Sequence, residues 1–70
     1  MRIGHTMRNG WTVVAINEAV GIIVAMNPDN HLAPYVCWKL DKDNHTYAGI
    51  YSMHLSKVVD AFYNRITVKW

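Results

Sequence analysis

Residues 11–16 (Trp-Thr-Val-Val-Ala-Ile) and 21–26 (Gly-Ile-Ile-Val-Ala-Met) are apolar at nearly every position. Such β-branched, apolar runs have the character of strands. A strand turns alternate side chains to opposite faces of its sheet. A strand that is apolar along its whole length therefore needs cover on both faces. Only one segment of this chain reads as a helix, and one helix covers one face. Any fold drawn for the chain has to say what covers the other.

With 70 residues the chain is expected to form a single domain over 1–70. A domain of this size buries only about 60% of the surface its unfolded chain exposes, so it leans on disulfides, a metal or self-association. An internal disulfide is excluded, because Cys37 is the only cysteine. A single cysteine also fits a reducing compartment. A composition 51% hydrophobic and 17% charged excludes a disordered chain. The apolar runs fall far short of the ~20 residues of a membrane span. Met1-Arg2-Ile3-Gly4-His5 is not followed by the apolar stretch of a signal peptide. A cytoplasmic protein is expected, with Met7 as an alternative start. The net charge is +2, and the basic residues are scattered from Arg2 to Lys69, with no stripe that would track phosphates.

Asn9-Gly10 marks a turn before the first strand. A two-residue turn at Glu18-Ala19 would set Val13 opposite Val24 and Ala15 opposite Ile22. Residues 27–34 hold two prolines around an Asx-rich centre and form the longest loop. Residues 35–40 read as a third strand. Asp41-Lys42-Asp43-Asn44 closes a hairpin, and residues 45–51 return as a fourth. A two-residue loop at Lys42-Asp43 would put Trp38 opposite Tyr47 as an aromatic pair. Leu55, Val58, Val59, Phe62 and Ile66 follow the 3.6-residue spacing of a helix stripe. Ser52 suits its N-cap, and Arg65 its C-terminal dipole. Residues 66–70 alternate and are expected as a short last strand. The predicted fold class is α+β: a mainly antiparallel sheet of four to five strands, in the order β-β-β-β-α-β, with one helix packed on one face.

The expected hairpin register puts Tyr35, Cys37, Lys39, Thr46, Ala48 and Ile50 on one face. Val36, Trp38, Leu40, His45, Tyr47, Gly49 and Tyr51 fall on the other. Cys37 and Ala48 are small and let a helix approach, so the helix is placed over them. Trp38, Tyr47 and Tyr51, with Val36 and Leu40, become the candidate binding residues. They either pack on one another and on the N-terminal segment or long loop, or form an interface of the kind where Trp and Tyr are enriched. A one-residue slip in register would reverse parts of this sorting. Dimerisation would also relieve the small core, so a homodimer is expected.

Catalysis is not expected, and no residue is singled out as catalytic. Cys37, centred on a strand beneath a helix, reads as an inert core residue rather than a nucleophile. His5, His31, Cys37, His45 and His54 lack the close pairing of structural zinc ligands. Asp41-x-Asp43-Asn44 opens like a calcium loop but lacks Gly at position six and Glu at position twelve, so it reads as a turn. No metal or other cofactor is assigned. Tyr47-x-Gly49-x-Tyr51 beside Trp38 would suit base stacking, but Asp41 and Asp43 offset the nearby Lys39 and Lys42. A metal-stabilised structural domain and a single-stranded nucleic-acid binder stand as the alternatives.

The opening Thr6-Met7-Arg8-Asn9-Gly10-Trp11-Thr12-Val13-Val14-Ala15 resembles that of short proteins carried by phages and mobile elements. So does the later pattern of a Trp38 strand, a Tyr47-x-Gly49-x-Tyr51 strand and a helix with Asp60, Phe62 and Arg65. The resemblance covers most of the chain. It implies a non-catalytic inhibitor of the anti-CRISPR or other counter-defence kind, binding a host protein effector in the bacterial cytoplasm. It implies no specific target and assigns no site residues. Separately, no membrane association is expected, and nucleic-acid binding is allowed by the charge but not argued by it.

Overall fold

The computed structural model describes the backbone of residues 2–67 and the side chains of residues 2–64. Four strands come first: β1 (Thr12–Asn17), β2 (Ile22–Met26), β3 (Tyr35–Leu40) and β4 (Thr46–Ser52). The helix α1 (Leu55–Thr67) follows. The strands lie side by side in chain order, each antiparallel to the next, and α1 packs on one face of the sheet. This is the predicted α+β arrangement with four strands. The fifth strand expected over 66–70 does not begin at Ile66, because the helix continues through Thr67. The remainder of that segment lies outside the described residues.

The first hairpin has a longer turn than the sequence suggested. Asn17 pairs with Ile22, and four residues bridge them. The Gly21 N–H donates to the Asn17 carbonyl at 2.9 Å, and the Val20 N–H to the Asn17 side chain at 3.3 Å. Gly21 takes the left-handed backbone that closes the turn, at φ +69°. Ala15 therefore sits opposite Val24, and Val13 opposite Ala25, with Val14 bulged out between them. Val13 and Val24 end on opposite faces rather than facing each other, because the bulge shifts the alternation by one residue.

Each face of the sheet carries its own apolar cluster. Beneath the helix, Ile22, Val24 and Cys37 are buried with Val58, and Ala61 and Phe62 pack against them. On the other face, Val13, Ile23, Ala25, Val36, Trp11 and Trp38 are buried together. The two clusters answer the demand made by β2, whose first four residues are all buried. Cys37 lies under the helix as expected.

The face without a helix is roofed by its own tryptophans. Trp11 and Trp38 meet edge to face with centroids 5.4 Å apart, and Tyr51 closes on each at 5.9 Å. Such edge-to-face pairs are favourable arrangements of the ring quadrupoles, worth about 0.5–1.5 kcal/mol each beyond area burial. An N-terminal arm completes the cover. Its Gly4 N–H donates to the Val13 carbonyl at 2.8 Å, and the Val13 N–H to the His5 carbonyl at 2.9 Å. Thr6 bridges Thr12, and Met7 packs against the tryptophan cluster.

Candidate functional site

The expected pairing of Trp38 with Tyr47 is not formed. Lys39 is opposite Tyr47 and Leu40 opposite Thr46, so the hairpin is one residue out of the expected register. Between Tyr47 and Ile50, β4 then holds two residues, Ala48 and Gly49, against the single Trp38 of β3. This bulge returns Ile50 to Cys37 and Tyr51 to Val36. Thr46 and Tyr47 have therefore exchanged faces relative to expectation, whereas Ile50 and Tyr51 have not. Ala48, expected opposite Cys37 beneath the helix, instead forms the bulge and is exposed.

Trp38 explains why the bulge holds a glycine. A Cβ on Gly49 would lie 2.6 Å from Trp38 Nε1 and 2.8 Å from both Trp38 Cδ1 and Tyr51 Cε1. The indole lies across Gly49, and only a residue without a side chain lets it do so. The left-handed backbone of the bulge falls on the preceding residue, Ala48, at φ +53°.

The five candidate binding residues divide as follows. Val36 is fully buried, and Trp38 is 6% exposed. Leu40 is half-buried beside the same cluster. Tyr51 caps the cluster yet stays 52% exposed. Tyr47 is on the helix-bearing face with Lys39, whose ammonium lies 5.8 Å from its ring centre. The large aromatic face envisaged from the sequence is thus mostly the protein's own second core, and its exposed remainder follows β4.

That remainder is larger than the two tyrosines. Ile50, Met53 and Leu55 are exposed as well, so five large apolar side chains crowd positions 47 to 55. β4 is the last strand of the sheet, and no described residue pairs with its outer edge. The other outer strand, β1, is bridged by the N-terminal arm. Thr46–Ser52 contains no charge and no proline, the two residue types that commonly keep sheet edges apart. Ile50 and Met53 were not singled out in the sequence. The readable signal was the lack of any charge from Thr46 through Met53.

Asp41, Asp43 and His45 are the residues among those described whose donor atoms converge as a metal site would, within 4.8 Å, and all three are exposed. Their geometry is that of the expected turn. The Asp41 carboxylate accepts the Asp43 N–H at 2.8 Å and the His45 N–H at 2.9 Å. The hydrogen bond from His45, together with that from Asp43 and the nearby imidazole, holds the Asp41 carboxyl below its ordinary value of 3.8. His45 Nδ1 lies 3.5 Å from Asp41 Oδ2. A shallow groove of about 390 Å³ runs between the two hairpin turns, lined by Ile16, Leu40, Glu18, Asp41 and Lys42. No described helix is long and apolar enough to cross a membrane. Comparison with protein-family models, curated proteins and solved structures returned no match.

Proposed function

We propose that this chain is a small non-catalytic binding module that acts by covering a surface of another protein. The observation that carries the reading is β4, an outer strand free of charge with Tyr47, Ile50, Tyr51, Met53 and Leu55 exposed along and beyond it. An outer strand offers backbone donors and acceptors to an incoming extended segment, and side chains on both faces give contact area. Tyrosine contributes disproportionately to such interfaces. Burial of Cys37 in the strand beneath α1 keeps its thiol from solvent and favours binding over nucleophilic chemistry. The resemblance to phage and mobile-element proteins supports a host defence effector in the bacterial cytoplasm as the protein covered, as for an anti-CRISPR inhibitor.

Affinity capture from a bacterial host lysate tests the reading. A Tyr47→Lys/Met53→Lys double variant is compared with Leu32→Ser, which alters the exposed loop instead. A protein retained by wild type and Leu32→Ser but lost by the double variant, and inhibited stoichiometrically by the purified chain, supports it. Capture that the double variant leaves unchanged removes β4 as the binding surface.

A further inference from the structure

We infer that β4 also pairs with a second copy of this chain, antiparallel to itself about a two-fold axis, to give a weak homodimer. Among the described residues no strand pairs with the outer edge of β4, and the strand carries no like charges to repel its own image. The bulge at Ala48–Gly49 and the end of the strand limit a regular ladder to Ile50–Ser52, which is short. Centring the axis on Tyr51 sets Ile50 opposite Ser52 of the second copy and extends the Trp11–Trp38–Tyr51 cluster across it.

Charge at the two ends of β4 fits the same arrangement. Asp41 and Asp43 precede the strand with Lys42 between them, leaving that turn one negative charge, while Lys57 follows the strand. Antiparallel pairing carries the acidic turn of each copy towards the α1 N-terminus of the other. That N-terminus has no acidic residue in its first turn to offset its positive dipole end. A second copy supplies the missing carboxylates twice, once at each end of the ladder. Self-pairing and capture of another protein would use one strand, so each copy does one or the other.

Sedimentation equilibrium of the purified chain over a wide concentration range tests this without any target protein. The expected result is a reversible monomer–dimer equilibrium that weakens with salt. Ile50→Lys puts a charge on the ladder, and its dissociation constant should rise about tenfold or more. Lys57→Glu should also weaken the dimer, yet it should raise the monomer's thermal midpoint, because a carboxylate in the first helical turn suits the dipole. Circular dichroism shows whether each variant is folded. A wild-type chain that stays monomeric at millimolar concentration overturns the inference and leaves capture of another protein standing. A dimer unmoved by both variants overturns it too, by placing the interface elsewhere.

Discussion

Ala48 and Gly49 sit side by side with their usual roles exchanged. The left-handed backbone falls on the alanine, while the glycine is needed for space under Trp38. Gly49→Ala should therefore destabilise the fold by about 1–3 kcal/mol, the cost of forcing a methyl group into a packed contact. Ala48→Gly relieves a left-handed alanine, worth about 1–2 kcal/mol, against a glycine entropy cost of about 0.5–1 kcal/mol. It should be neutral or mildly stabilising. Denaturant midpoints of the two variants moving in the same direction by similar amounts would show that the indole does not require the glycine. This pair also shows where sequence reading of the site failed. Alternation assigns faces only when the register is right. The turn is one residue longer than expected, which moves Tyr47 to the other face, and the bulge adds the residue that restores Ile50 and Tyr51. Gly49 in the middle of a strand was the visible warning, but the side chain that required it is on a neighbouring strand. At Asp41 stability is linked to pH. Its folded-state pKa is lowered, so its contribution is present above the unfolded value and lost as pH falls through the folded one. The thermal advantage of wild type over Asp41→Asn should shrink as pH drops below 3.8. A difference constant with pH would mean that the carboxylate's charge plays no part.

The elements were more legible than their pairing. Residues 35–40 were placed as a strand and are β3, because β-branched and aromatic residues fill it between a proline and an Asp turn. The helix stripe was readable in part: Val58 is its fully buried member, but Leu55, expected in the same stripe, is 44% exposed. Val58→Ala should cost about 2 kcal/mol through lost contacts and a residual cavity under α1. Ser52 was read as the N-cap, but it accepts the N–H of His54, one residue before the helix begins. It orders the approach to the helix instead of its first turn. The N-terminal arm was the least legible element, since residues 2–6 have exposed side chains and no periodicity. Its attachment is by backbone hydrogen bonds to Val13 and the Thr6–Thr12 contact at 3.1 Å. A chain beginning at Met7 should therefore fold and lose only about 1–2 kcal/mol. Met7→Ala in the full chain should instead red-shift the tryptophan emission, because Met7 is the arm's side chain against the Trp11–Trp38 cluster. Unchanged emission would show that the arm does not help to roof that face.

At the scale of the whole molecule, one thin sheet serves two small cores. β2 joins them: Ile22 and Val24 face α1, Ile23 and Ala25 face the tryptophans, and all four are buried. Stability for a domain of this length is about 4–10 kcal/mol, and removal of a buried tryptophan costs about 3–5 kcal/mol. Trp38→Ala should therefore remove about a third or more of the stability and sharply lower the denaturant midpoint. Neither core can loosen while the other stays packed, because the same β2 backbone holds both registers and a slip would expose both sets of side chains. Heat should then unfold the chain in one step. A Trp70→Phe background leaves Trp11 and Trp38 as the only indoles, and they report the face away from the helix. Their fluorescence transition should coincide with the far-ultraviolet circular dichroism transition, to which α1 contributes from the opposite face. If fluorescence melted first, the tryptophan roof would be an independent lid. The hydrophobic demand of β2 would then be met by the helix core alone while the lid was open, leaving Ile23 and Ala25 available to a partner.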